Sequence, residues 1–277
     1  MPTEHGLISD LKFYTKKKRL KRYLKGEFRR FYRLKKQQLA FALEDYFLYK
    51  FDPFRVIAKR FEKSLPTINE NYVKVGNYYL DSRILYKQSP IIYSLGVLTD
   101  ISFDKAAISR FQTNVYLFDP APIAAEYMSK QKDINLHFFP IGVWIKDSKM
   151  PFMYSKDRGR SPSMFIKHDG GIFEATCKSL KTIMSELGHN KIDILKMDIE
   201  GAALPLLEDL LEQEFSLPSQ IVAEFENIRP NLEEFCDFYL RVTRLITRLN
   251  NLGYEVVNLP RDFSFYRSVE LLFSKVD

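Results

Sequence analysis

Residues 192–201 read IDILKMDIEG, and this stretch constrains the fold more than any other. Ile192, Ile194, Leu195, Met197 and Ile199, with Leu195 and Met197 flanking Lys196, match a strand buried on both faces of a parallel sheet. The run stops at Asp198, Glu200 and Gly201, and an apolar-periodic helix follows through Leu204, Leu207 and Leu211. In open α/β sheets ligands sit beyond the carboxyl ends of the strands, so the two carboxylates fall where chemistry is expected. Acidic residues are also ordinary at helix starts, and the pair reads equally as a cap on the next helix.

A chain of 277 residues can bury a full core. The reading is an α/β domain over residues 66–277 preceded by a basic helical extension over 1–65. No apolar run approaches the roughly 20 residues of a membrane span, and the first segment lacks the apolar core of a secretory signal, so a soluble protein is expected. Cys177 and Cys236 fit neither a CxxC motif nor a disulfide framework, which favours a reducing, cytoplasmic location. The net charge of +7 is uneven: residues 12–36 carry thirteen Lys/Arg against Glu27, leaving the rest mildly acidic. In that arm Leu20, Tyr23, Leu24, Phe28, Phe31 and Leu34 recur at helical spacing. It reads as a helix with a solvated basic face, a peripheral anchor to anionic membrane, or a nucleic-acid contact; each Lys or Arg near an anionic leaflet contributes about 1 kcal/mol.

From residue 51 a short helix leads to Pro66, and NYVKVGNYYLDS alternates around Gly76 and Asn77 as a small hairpin. The first parallel strand is expected over residues 90–95, ending at Gly96, with a helix through Phe103, Ala107, Ile108 and Phe111. No GxGxxG follows, which argues against a pyrophosphate cradle and for a cofactor without phosphates. The second strand, 114–118, ends in Asp119, about 20 residues after the first turn, where an acid accepts from the two hydroxyls of an adenosine ribose. The alternative is an Asp-Pro turn acid. A third strand spans 134–141. An insertion with short strand-like runs follows, read as a lid, a substrate loop or a surface hairpin. A helix then stops at Gly188, and after the opening strand come a strand over 219–225 and a long helix stopping at Gly253. Two closing strands, 254–259 and 263–273, joined by a short link, suggest an antiparallel pair at the sheet edge.

With this order in hand, YSLGVLTDISFD (93–104), VYLFDPAP (115–122), CKSLKTIMSELGHNKIDILKMDIEGA (177–202) and PSQIVAEFE (218–226) together resemble the FkbM-like family of class I S-adenosylmethionine-dependent methyltransferases. The likeness runs from about Tyr72 to Phe273 and leaves out the basic arm. It implies a Rossmann-like, seven-stranded, mostly parallel sheet with its last strand antiparallel and helices on both faces. It also implies S-adenosyl-L-methionine along the ends of the first two strands. Gly96 and Asp100 match the cofactor loop, Asp119 the ribose acid, and Asp198 and Glu200 the acids closing the fourth strand. Leu98 stands where the family often has a second glycine, and Ala203 where it usually has a glutamate.

Methyl transfer to a hydroxyl asks chiefly for alignment, worth roughly 7–11 kcal/mol, and for a place to put the proton. Asp198 or Glu200 is the expected base, with His168 on the insertion as an outside candidate. His137 is expected to pack within a strand, and His5 and His189 to be peripheral. A divalent metal on Asp198, Glu200, Glu224, Glu226 and Asn227 is the less favoured use of these oxygens. The expected function is an O-methyltransferase acting on a small-molecule, glycan or lipid-linked hydroxyl. The alternative is a decayed methyltransferase-fold adaptor whose arm binds RNA or anionic membrane. A nicotinamide-dependent oxidoreductase shares Asp119 but lacks the glycine fingerprint.

Overall fold

The structure, a computed structural model, describes residues 52–156, 161–165, 169–213, 215–227, 231–260 and 268–276. The basic arm, His5 and His168 lie outside these residues. The chain divides into two compact units.

The smaller unit contains, among the described residues, 52–65 and 231–244. Helix α1 (Pro53–Lys63) starts where Asp52 accepts from the Phe54 N–H at 3.1 Å, and Pro53 at the first helical position needs no such partner. Its buried residues Ile57, Ala58 and Phe61 recur at the spacing of one helix face. Phe61 meets Tyr239, and Phe54 meets Phe235 edge-on, so this unit coheres through aromatic packing.

The larger unit opens with a hairpin of β1 (Tyr72–Val75) and β2 (Tyr78–Asp81), closed by Gly76 and Asn77. Gly76 takes a φ of +59°, as glycine does at the first central position of a two-residue hairpin loop. Then come β3 (Ile92–Leu95), α2 (Ser102–Phe111), β4 (Val115–Phe118), α3 (Pro122–Met128) and β5 (Leu136–Phe139). The insertion forms β6 (Gly142–Val143), β7 (Ser148–Tyr154) and β8 (Gly171–Lys178). The chain continues through α4 (Leu180–Leu187), β9 (Ile194–Met197), α5 (Ala203–Glu212) and β10 (Gln220–Glu226). Helix α6 (Leu232–Asn251), β11 (Tyr254–Asn258) and β12 (Ser268–Lys275) complete it. Helix α4 is bounded as its sequence suggests, by the Ser179 hydroxyl on the Thr182 N–H and by left-handed Gly188.

The main sheet has the order β11-β12-β10-β9-β3-β4-β5, with β12 antiparallel to its neighbours. It is the Rossmann-like, mostly parallel seven-stranded sheet expected from the resemblance. The closing strands form the expected antiparallel pair at the sheet edge. β12 inserts between β10 and β11, pairing Ile221 with Phe273 and Val256 with the same Phe273, so only β11 forms the edge. An apolar strand such as SVELLF is worth more flanked on both sides than at a rim, where its backbone groups would stay unpaired.

From β3 the chain moves outward through β4 and β5, then returns to place β9 on the other side of β3. Strand order therefore reverses between β3 and β9, the crevice where open α/β sheets take ligands. Both strands are buried along their whole length. Ser94 pairs with Lys196 and Leu95 with Met197, so the residues after each strand, Gly96 and Asp198, emerge side by side.

Candidate active site

Gly96 takes a φ of +73°, and a Cβ there would lie 1.7 Å from the Asp198 carbonyl oxygen. The loop after β3 passes so close to the end of β9 that only glycine fits. Its amide donates to the Phe118 carbonyl at 2.9 Å, tying it to β4 on the other side. Asp119 completes the arrangement: Oδ2 accepts from the Val97 and Leu98 N–H groups at 2.9 and 2.8 Å, and Oδ1 from the Ala121 N–H at 2.8 Å. Burial pushes the Asp119 carboxyl up, opposed by these three amides and by Lys196. A carboxylate offers about four lone-pair sites, so the three amides leave Asp119 one further acceptor site. Leu98, standing where the family often has glycine, holds a left-handed φ of +39°. The loop thus keeps a backbone shape that costs a side-chain-bearing residue about 1–2 kcal/mol.

Lys196 lies under this loop, its side chain 5% exposed. Its ammonium donates to the Gly96 carbonyl, sits 3.5 Å from the Leu95 carbonyl and 3.9 Å from Asp198 Oδ2, and lies over the Tyr78 ring at 5.4 Å. The same charge works on three acids. It opposes the rise that burial imposes on Asp104 and Asp119. At Asp100, where desolvation also acts upward, the Ser102 amide and hydroxyl, Lys196 and Asn77 outweigh it and hold the carboxyl below its ordinary value.

The end of β9 turns sharply, with Glu200 at φ +48° and Gly201 at +88°. The Ser163 hydroxyl donates to the Glu200 carbonyl at 2.8 Å, and the Gly201 N–H donates to Glu226 Oε2. Glu226 is itself buried, and desolvation together with Glu200, Asp198 and Glu224 pushes its carboxyl well up, so the protonated form is favoured. The structure therefore brings Gly96, Asp100, Asp119, Asp198 and Glu200 to one end of the sheet, with Glu224 and Glu226 beside them. Among the described residues, no group of three or more His, Cys, Asp or Glu is gathered as a metal ion requires.

The insertion is a three-stranded sheet, order β6-β8-β7, with β7 and β8 as an antiparallel hairpin. Trp144, Phe152 and Cys177 form its core with Ala202, and Ile199 and Met164 pack against them, so this sheet is braced on the turn that follows β9. Ala203, where the family usually has glutamate, is buried at the start of α5. His137 stacks on Tyr116 within the main sheet, as a packing residue does. His189 is less peripheral than its sequence suggests: Nδ1 lies 2.8 Å from the Tyr93 hydroxyl, and burial holds the imidazole below its ordinary value.

Four side chains at this end of the sheet are not among the expected site residues. Lys196 was visible as a lone charge in an apolar strand. Ser163, Asn77 and Tyr78 carried no signal, because their partners are distant in the chain.

Residues 100–256, more than half of the chain, match the family described as "Methyltransferase FkbM domain". Curated relatives include "Probable methyltransferase-like protein 24" of Homo sapiens and of Rattus norvegicus. Each is 25% identical over 143 residues, which is 51% of this chain and 34% of the relative. The chain thus spans about a third of the length of these relatives. Among solved structures, human methyltransferase-like protein 13 in complex with SAH is 11% identical with a TM-score of 0.37, covering 70% of this chain and 75% of that one. The E. cuniculi Mtq2-Trm112 complex is 11% identical with a TM-score of 0.35, covering 70% and 90%.

Proposed function

Because the chain belongs to the family of FkbM-domain methyltransferases, we propose that it transfers a methyl group from S-adenosyl-L-methionine to a hydroxyl on a small-molecule, glycan or lipid-linked acceptor. The observation that carries this reading is the convergence of Gly96, Asp119 and Asp198 where strand order reverses.

The residues present fit the donor chemically. Asp119 has one acceptor site left for a ribose hydroxyl, and Asp100 offers a carboxylate to an α-ammonium. Carboxylates at the strand ends suit a ligand that carries a sulfonium cation and would repel a pyrophosphate, which sets the nicotinamide cofactors aside. Lys196 does not alter that balance, since its ammonium is engaged with the Gly96 carbonyl and faces Asp198. When bound, the donor supplies a methyl carbon already activated by its sulfonium.

The remaining work falls to the chain. Gly96 lets the loop approach the β9 end, and Asp119 fixes that loop through two of its amides. Alignment of this kind is worth roughly 7–11 kcal/mol, more than any single base adds. Asp198 or Glu200 takes the acceptor's proton. Glu226 lies beside them, its carboxyl pushed up by desolvation and by the neighbouring charges of Glu200, Asp198 and Glu224.

Titration of the full chain with S-adenosylhomocysteine tests the reading. Binding that is lost in Asp119→Ala supports it; a wild-type chain that binds no adenosine ligand ends it. Incubation of a metabolite or glycan extract with protein and donor, read as a gain of one methylene unit in mass, then identifies the acceptor. Metal use is tested by chelator: turnover lost with EDTA and restored by magnesium assigns the strand-end oxygens to a cation. Among the described residues no helix is long and apolar enough to cross a membrane; for location, that Cys177 and Cys236 are buried and in no disulfide fits a reducing, cytoplasmic setting. Salt-sensitive binding of the chain to anionic vesicles or RNA tests the basic arm as a peripheral contact.

A further inference from the structure

The hairpin of β1 and β2 lies before the residues that match the methyltransferase family, yet its tip reaches the two acids that the reading above places at the donor and acceptor. At Gly76 a Cβ would lie 2.5 Å from both the amide nitrogen and the Cα of Phe103, so the hairpin loop is seated on the first turn of α2. The Tyr78 ring meets the Phe103 ring edge-on at 5.6 Å. From this seat two side chains extend. Asn77 Nδ2 donates to Asp100 Oδ2 at 2.8 Å, and the Tyr78 hydroxyl donates to Asp198 Oδ2 at 3.2 Å.

We infer that the hairpin tip belongs to the catalytic apparatus, with Asn77 a positioning residue for Asp100 in the donor loop and Tyr78 a positioning residue for Asp198 as the base. The inference rests on the methyltransferase reading.

Tyr78 is half-buried, and charges from several elements surround it: Asp198 and Lys196 of β9 and its end, Glu224 of β10 and Glu270 of β12. Burial first, and the three carboxylates next, push its phenol far above the ordinary range, so it stays protonated and can only donate to Asp198. Lys196 also approaches Asp198 on Oδ2. Both contacts therefore fall on one carboxylate oxygen, which leaves Oδ1 for the proton of an incoming hydroxyl. A donor on Oδ2 also fixes the rotation of the carboxylate, the orientation that proton transfer needs. At the donor loop, Asp100 accepts from the Ser102 N–H with Oδ1 and from Asn77 with Oδ2, so both oxygens are set before any ligand arrives.

The two residues predict separable effects. Asn77→Ala removes one hydrogen bond from the donor loop, and S-adenosylhomocysteine binding to the full chain should weaken about three- to tenfold. Tyr78→Phe keeps the ring and its contact with Phe103; it should leave that binding within about twofold, because Asp198 faces the acceptor. With tritiated donor and the extract fraction that gains a methyl, its maximal rate should fall about tenfold. In an Asp198→Asn background, Tyr78→Phe should change nothing further, as expected of a residue acting through Asp198. An undiminished maximal rate in Tyr78→Phe, a further loss when it is added to Asp198→Asn, or undiminished affinity in Asn77→Ala, overturns the inference while leaving the donor reading intact. A wild-type chain with no S-adenosylhomocysteine binding removes both.

Discussion

Replacing Lys196 by methionine keeps most of the side chain's length and deletes its ammonium. In the native chain that ammonium donates to the Gly96 carbonyl, approaches the Leu95 carbonyl and Asp198, and opposes the burial-driven rise of Asp104 and Asp119. Removing one partner of a buried charged pair costs about 3–5 kcal/mol, because the other is left uncompensated. Methionine packs well and spares the cost of burying an ammonium, so the lower end, about 3 kcal/mol at neutral pH, is expected. For a large domain this is a drop in midpoint temperature of roughly 10 °C.

The deficit should also depend on pH, with a definite sign. Asp104 and Asp119 already bind protons more readily folded than at their ordinary value of 3.8, and without Lys196 they bind them more readily still. Folded chains then hold more protons than unfolded ones, so stability falls as pH rises above that value. Each further unit of elevation costs about 1.4 kcal/mol once pH exceeds the folded value. Urea unfolding of both proteins at a pH near the ordinary carboxylate value and again at neutrality gives the two deficits. Lys196→Met should differ least from wild type in acid and most at neutrality. A neutral-pH deficit below about 1 kcal/mol, or one that shrinks as pH rises, would refute the role assigned to this lysine.

Gly96→Ala places a methyl against the Asp198 carbonyl in a left-handed backbone; denaturant unfolding should show a loss of more than about 3 kcal/mol, and a loss below 1 would contradict the loop's packing. Asp119→Asn keeps the shape but cannot accept on both sides, so a buried N–H loses its partner and stability should fall by about 1–3 kcal/mol, with S-adenosylhomocysteine affinity falling too. Glu226→Gln mimics the protonated carboxyl. Because the raised Glu226 carboxyl makes wild-type stability decline as pH climbs from its ordinary value of 4.5 toward the folded one, thermal scans should show the variant gaining on wild type with rising pH; parallel curves would exclude a raised carboxyl. Ser163→Ala frees the Glu200 carbonyl and the Phe165 amide, and should cost about 1–2 kcal/mol in the same scans.

Much of the sheet was legible because its strands are short apolar runs that stop at Gly96, Asp119 and Asp198, and stops of that kind depend on local sequence alone. The position of β12 was not. Two strands joined by a short link pair with each other by default, as β11 and β12 do; which of them also pairs with β10 rests on the non-local match of SVELLF with QIVAEFE. At the site, the placement of the acids at strand ends was readable and their partners were not. Asp119 was recognisable at a strand end, but that it grips two amides of the preceding loop depends on the left-handed turn at Leu98. Tyr78 was still less visible, since its hydrogen-bond partner lies 120 residues away. Contacts of that span are set by topology, and no spacing rule reaches them.

Trp144 is the chain's only tryptophan, and it sits 9% exposed in the core of the inserted sheet, 5.5 Å from the Phe165 ring and in the cluster that includes Ala202. The main sheet, by contrast, carries its aromatic rings as tyrosine and phenylalanine, with Tyr93 and Tyr116 side by side on β3 and β4. Red-edge excitation therefore lights a single indole, located where the insertion meets the turn bearing Glu200, while shorter wavelengths also sample the tyrosines. Emission from that indole therefore reports on the junction of the insertion with this turn, and a midpoint distinct from that of the tyrosines would mark local unfolding there. It needs no label and no engineered residue.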